Sequence, residues 1–238
     1  FYTEAQEIMS TVLVQTQDYA GALAILDGIN PLSANMQNAY QKVALFKGLQ
    51  DFKAGRNDEA SRMLVKSLKY PESLRLKNEA IFWQAEIAHE NKDYSGSRDL
   101  LNSYFSNVKT SPQGLDGRIY ALASYTQGYN YFKSADYTKA SSYFESAAEN
   151  IRKNNNLFDD TAKREEIYGD ALMRSGDCFF KAKNYDKAVS YYNQAINGKF
   201  EGHEYAFYQK AIILGLKGQD TQKLSALNDL INQYPNSE

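Results

Sequence analysis

The sequence is short of cysteine, histidine, proline and glycine, and each shortage removes a class of protein. One cysteine, Cys178, cannot close an intrachain disulfide. A single thiol suits reducing and oxidising compartments alike, and in an apolar setting it reads as a small packed residue. The two histidines, His89 and His203, stand apart, at no metal-ligand spacing from each other or from Cys178. No metal or other cofactor is expected. With 4 prolines and 14 glycines in 238 residues, long irregular segments have little room. No apolar run approaches the roughly 18–20 residues of a membrane span. The 27 basic and 29 acidic residues are interspersed, with a net charge of −2 and no basic run to follow a phosphate backbone, which argues against nucleic acid as a partner.

Catalytic signals are equally sparse. Gly215, Lys217 and Gly218 do not have the spacing of a phosphate loop. The acidic pairs Asp159-Asp160 and Glu165-Glu166 are flanked by Lys163 and Arg164, so they read as a solvated, salt-bridged face rather than as an acid/base pair. The expectation is a protein that is not an enzyme.

What the chain does have is 19 tyrosines, 12 phenylalanines and a repeat. The segments from Gly48 to Ala60, Gly128 to Ala140 and Gly176 to Ala188 align without gaps, with Phe52, Phe132 and Phe180 in one slot and Lys53, Lys133 and Lys181 in the next. Weaker copies pair Ser10 with Ala22, Ala85 with Ser97, and Ala211 with Lys223 at the same separation. Two antiparallel helices joined by a tight turn explain the pattern, with the small residue of the first helix expected to face the Ala of the second. Asp18, Asp93, Asp136 and Asn184 stand where a side chain would cap the second helix, each followed by a Tyr. Four positions after the Ala slot comes a large residue, Leu26, Leu64, Leu101, Phe144, Tyr192 or Leu227, on one helical face. Ser111-Pro112 reads as the cap and first turn of a long helix ending near Lys133, and Asn154 to Asp160 as a polar loop before another long helix.

Gly128, Tyr131, Ala140 and Phe144, and Gly176, Phe179, Ala188 and Tyr192, with Pro71 and Pro235 as closing prolines, resemble the tetratricopeptide repeat (TPR) pattern. The resemblance covers nearly the whole chain and implies an all-α, right-handed superhelical solenoid of about six helix pairs. The repeats would lie near 1–30, 33–70, 72–108, 112–154, 160–198 and 203–235 in a single domain. The lengthened first helices and the ending Tyr234-Pro235-Asn236-Ser237-Glu238 are similar to tandem-TPR proteins of bacterial cell envelopes, which suggests a longer array and that location.

The family implies a groove lined by first helices. Carried over slot by slot, the partner-binding candidates are Phe82, Glu86, Tyr125, Tyr129, Phe132, Lys133, Asp177, Phe180 and Tyr208, with Asp170, Met173 and Tyr205 among the other lining slots. Tyr125 and Tyr129, one turn apart, would form an aromatic platform with Glu86, Lys133 and Asp177 as edge charges. The Lys and Asn that grip acidic chaperone tails in some relatives are replaced by Leu45 and Leu49, Phe82 and Glu86, or Tyr125 and Tyr129. A protein or peptide partner along an extended aromatic strip is the expected function. A carbohydrate or small ligand in one compact pocket is the alternative.

Overall fold

The computed structural model describes residues 17–235, and within them every regular element is helical. Eleven α-helices follow one another: α1 (Tyr19–Asp27), α2 (Ala34–Lys53), α3 (Asn57–Ser67), α4 (Leu74–Glu90), α5 (Tyr94–Thr110), α6 (Gly117–Lys133), α7 (Tyr137–Lys153), α8 (Thr161–Lys181), α9 (Tyr185–Gly198), α10 (His203–Leu216) and α11 (Asp220–Gln233). They fall into two compact units divided between Asp116 and Gly117. The pairs in the first unit are α2 with α3 and α4 with α5; those in the second are α6 with α7, α8 with α9 and α10 with α11. Ser10 and the closing residues 236–238 lie outside the described residues, so α1 is seen without the helix expected before it.

The turn inside each pair is built the same way. Five residues before the Ala slot, the backbone is left-handed: Gln17, Gly55, Lys92, Ala135, Lys183 and Gly218, with φ from 60° to 73°. Around it the chain makes the six-to-one bond of a Schellman turn, as in Asp93 N–H to Ala88 C=O at 2.9 Å, Asp136 to Tyr131 at 3.0 Å and Asn184 to Phe179 at 2.9 Å. The next residue then caps the second helix. Asp18, Asp93, Asp136 and Asn184 accept from the backbone N–H three residues on, at 2.9, 2.9, 3.2 and 3.3 Å. In the α2–α3 pair Arg56 occupies that position and makes no side-chain cap.

Packing follows the repeat, with one correction. The small residue of the first helix makes room less for the Ala than for the large residue four positions later. A Cβ at Gly128 would lie 2.7 Å from ring carbons of Phe144, one at Gly176 2.6 Å from Tyr192, and one at Gly48 3.1 Å from Leu64. Leu26, Leu64, Leu101, Phe144 and Tyr192 are all buried, while Leu227 on α11 is half-buried. Glycine here lets a ring approach the helix backbone more closely than any side chain would allow.

The helix expected from Ser111 is also different. Pro112–Gly114 is a single 3-10 turn, Leu115 is extended and α6 starts only at Gly117. Tertiary contacts override the local signal: Asn78 Nδ2 donates to the Gly114 carbonyl at 3.1 Å, and Arg75 pairs with Asp116 at 2.8 Å. Asn155–Leu157 forms another short 3-10 turn in the polar segment, after which Asp160 caps the 21-residue α8 at Lys163 N–H, 2.9 Å away. Among the described residues, no helix is long and apolar enough to cross a membrane.

Candidate functional site

Helix α8 supplies the axis of the site. Asp170, Arg174 and Asp177 are spaced by four and then three residues, so all three lie on one helical face. Arg174 lies between the carboxylates, donating from Nε to Asp170 Oδ1 at 3.1 Å and from NH1 to Asp177 Oδ2 at 2.5 Å. Burial works against the guanidinium charge, but the two adjacent carboxylates outweigh it and raise its pKa further above its ordinary value.

Tyrosines from the flanking helices complete the network. Tyr125 and Tyr129 of α6 each donate a hydroxyl proton to Asp170 Oδ2, at 2.8 and 2.5 Å. Tyr192 of α9 and Tyr205 of α10 both donate to Asp177 Oδ1, at 2.7 and 2.9 Å. Burial, reinforced by the neighbouring carboxylates, pushes all four phenols upward, Tyr205 to about 12, so their protons stay in place at neutral pH. The rings are held as well. Tyr125 and Tyr129 meet edge-to-face at 5.1 Å, Tyr129 stands edge-on to the buried Phe144 at 5.1 Å, and Arg174 covers the Tyr205 ring at 5.5 Å.

These groups line an open depression of about 420 Å³, bounded by Tyr125, Tyr129, Asp170, Arg174 and Tyr205 together with Glu166, Met173, Glu201 and Gly202. The connection from α9 to α10 is shaped to reach it. Lys199 and Gly202 are both left-handed, and the Phe200 ring packs on Tyr168 at 5.2 Å and closely over Gly169. His203 is tied down through Phe200 C=O at 2.8 Å and Tyr234 Oη at 2.9 Å. Among the described residues, no group of three His, Cys, Asp or Glu could hold a metal ion.

The expected site residues are thus sorted by position. Tyr125 and Tyr129 come together in the depression and also pack on the core. Asp177 is 5% exposed and engaged by three partners, which corrects its expected place as an edge charge. Phe132 leans on Tyr137 at 5.4 Å and Phe180 on Tyr185 at 5.9 Å, each closing the turn of its own pair away from the depression. Lys133 and Tyr208 are exposed and do not line it. Phe82 and Glu86 belong to the first unit; Phe82 is 1% exposed, packed on Trp83 at 5.0 Å, and so is core rather than groove surface. Sequence reasoning passed over Arg174 and Glu201 and read Glu166 only as a salt-bridged surface residue. It does pair with Lys163 at 2.6 Å, but it also borders the depression. For Arg174 a usable signal existed, the Asp-x3-Arg-x2-Asp spacing from 170 to 177.

Comparison with known proteins agrees with the helix-pair geometry. A tetratricopeptide repeat model matches residues 170–197 and 205–237. No curated protein matches the chain. Among solved structures, MamA from Desulfovibrio magneticus RS-1 is similar at 13% identity and a TM-score of 0.60, over 84% of this chain and 98% of that one. YrrB, described as a TPR protein with an unusual peptide-binding site, gives 17% identity and a TM-score of 0.61 over 83% and 86%. PilF of Pseudomonas aeruginosa gives 16% and 0.54 over 98% and 92%. At these identities the likeness is one of fold. The chain thus carries tetratricopeptide repeats at residues 170–197 and 205–237, and the same left-handed turn and helix-pair geometry recur through the rest of the described residues.

Proposed function

We propose that the chain is a protein-interaction scaffold that holds a peptide segment in the depression between α6, α8 and α10. The observation that carries this reading is the set of three tyrosines, Tyr125, Tyr129 and Tyr205, whose hydroxyls are already locked by Asp170 and Asp177. A surface whose side chains are ordered beforehand loses little conformational entropy when it binds, and tyrosine and arginine carry much of the energy of protein interfaces. The volume falls within the range of roughly 300–1,000 Å³ typical of ligand sites. A peptide-binding site in the similar protein YrrB supports the same reading.

The compact shape of the depression is what a sugar site would have, yet its chemistry argues against one. The Asp170 and Asp177 carboxylates and the tyrosine hydroxyls that would hydrogen-bond a sugar are bonded to one another, and Arg174 occupies a face of the Tyr205 ring.

The test is selection from a random peptide library on the whole chain, followed by titration of the selected peptides. Tyr205→Ala should weaken them by about 1–3 kcal/mol, the range for aromatic anchors. Tyr125→Phe and Tyr129→Phe keep the rings and remove the hydroxyls. Each should cost about 1.5–3 kcal/mol of stability, because each hydroxyl donates to a charged group. Peptides that bind Tyr205→Ala as tightly as the parent would sink the proposal, and so would monosaccharides that bind where no peptide does.

A further inference from the structure

We infer that the depression on α8 takes an arginine or lysine side chain of the bound segment, and so selects basic peptides. The inference rests on the peptide-holding reading above and adds the chemistry of the contact. Two independent balances point to it.

The first is charge. Three carboxylates, Glu166, Asp170 and Glu201, line the depression against one guanidinium, Arg174. That guanidinium is shared between Asp170 and the deeper Asp177, so it is more than neutralised before any ligand arrives. Lys163 reaches Glu166 from the solvent side of α8, but both side chains are about half exposed, and such a pair is weak and readily exchanged. Glu201 is exposed in the connection before α10. The whole chain carries a net charge of only −2, so this local excess of acid is not a reflection of the average.

The second balance is of donors and acceptors. Tyr125, Tyr129 and Tyr205 have each given their one hydroxyl proton to a carboxylate, which leaves those oxygens only acceptor capacity. Glu166 and Glu201 are acceptors by nature. The lining is therefore rich in acceptors and poor in donors, with Arg174 as the one strong donor. Lysine and arginine side chains are donors without acceptors, and they also sit favourably beside tyrosine rings. A carboxylate or phosphate would meet the same lining with the wrong charge and the wrong hydrogen-bonding sense.

The probes are four random nonapeptide libraries with the central residue fixed as Arg, Lys, Gln or Glu, titrated against the whole chain. Arg- and Lys-centred libraries should be retained about tenfold better than the Gln-centred one, and the Glu-centred library least, since two or three partly exposed charge contacts supply that much. Glu166 and Glu201 are exposed, so E166Q/E201Q should fold as the parent does. It should reduce the preference to roughly threefold or less, and Glu201→Lys should shift it towards the Glu-centred library. Equal retention of Gln and Arg libraries, or an unchanged preference in E166Q/E201Q, overturns the inference. If such charge-blind binding still falls with Tyr205→Ala, the peptide-holding reading stands alone. If Tyr205→Ala leaves binding untouched, both fail.

Discussion

Gly176→Ala joins the fold to the site in one small change. The added methyl carbon would sit 2.6, 2.8 and 3.0 Å from Cε1, Cδ1 and Cζ of Tyr192. A ring free to tilt could absorb this. Tyr192 is fully buried, however, and its hydroxyl is bonded to Asp177 Oδ1 at 2.7 Å, so it is held from the side and at its tip. In an unobstructed helix Ala would be better than Gly by about 0.8–1 kcal/mol. Overpacking of a filled core costs about 1–3 kcal/mol, and losing a hydrogen bond to a charged group costs about 1.5–3 kcal/mol. With both costs set against the Ala preference, the net expectation is a destabilisation of about 1.5–5 kcal/mol, read as a lower urea midpoint at unchanged slope. Tyr192→Phe frees the ring tip, so the pair should couple: Gly176→Ala should cost less in the Tyr192→Phe background, by about 0.5–2 kcal/mol. Hydrogen exchange should locate the loss in α8 and α9 first, because repeat arrays lose protection outward from the damaged pair. A neutral or stabilising Gly176→Ala, or strict additivity with Tyr192→Phe, would refute the claim that the ring is pinned.

The remaining expectations follow from other parts of the chain. Ala135 holds φ of 61° in its turn, where an L side chain costs roughly 1–2 kcal/mol; Ala135→Gly should therefore raise stability by about 0.5–1 kcal/mol after the entropy of the unfolded glycine is counted, as thermal or urea unfolding will show. Asp51 is buried, which alone would raise its pKa, but Lys47 and Arg56 outweigh burial and hold it below the usual carboxylate value. A depressed folded pKa gives stability that is present above the unfolded value near 4 and lost as pH falls through the folded one, so Asp51→Asn should flatten the acid limb of the stability profile. Leu224 and Ile231 on α11 are 62% and 65% exposed. Changing both to Glu should leave stability within about 1 kcal/mol and reduce any self-association seen by sedimentation, whereas marked unfolding would mean that this face is packed.

Much of the fold was legible because its signals are local and recur. The separation between the small residue and the Ala slot, the capping Asp or Asn, and the large residue one turn later each depend on residues close in sequence. Two features were not legible for definite reasons. Four of the six left-handed turn positions are filled by Gln17, Lys92, Ala135 and Lys183, so no glycine marks them; only Gly55 and Gly218 carry the usual sign. The start of α6 was misplaced because Ser111-Pro112 is a sound local start signal, while the decisive contact, Asn78 to Gly114, spans 36 residues. The site divides similarly. Tyr125 and Tyr129 share a face by spacing alone, but whether a ring in the same repeat slot is covered depends on the neighbouring helix. Thus, in one slot, Phe82 packs away while Tyr125 borders the depression and Tyr208 is exposed. Glu201 sits in a connection whose path is set by two left-handed residues, a geometry that no periodicity reveals.

The network on α8 is better understood as a positioning device than as a source of stability. Asp170, Arg174 and Asp177 are neighbours on one helix whether or not the rest of the unit is assembled, so much of their mutual attraction is already available before packing. Arg174 also keeps 26% of its side chain exposed, which screens its pairs further. What packing adds is the four phenols, two from α6 and one each from α9 and α10. Each has a ring carried by its own helix and a hydroxyl aimed by a carboxylate of α8. Replacing the ions with apolar residues of similar volume could leave stability nearly unchanged. It would also release Tyr125, Tyr129 and Tyr205 from fixed directions and return donor protons to the lining. The arrangement therefore makes sense if the quantity under constraint is the orientation and acceptor character of the tyrosine surface, which is what a bound segment would meet.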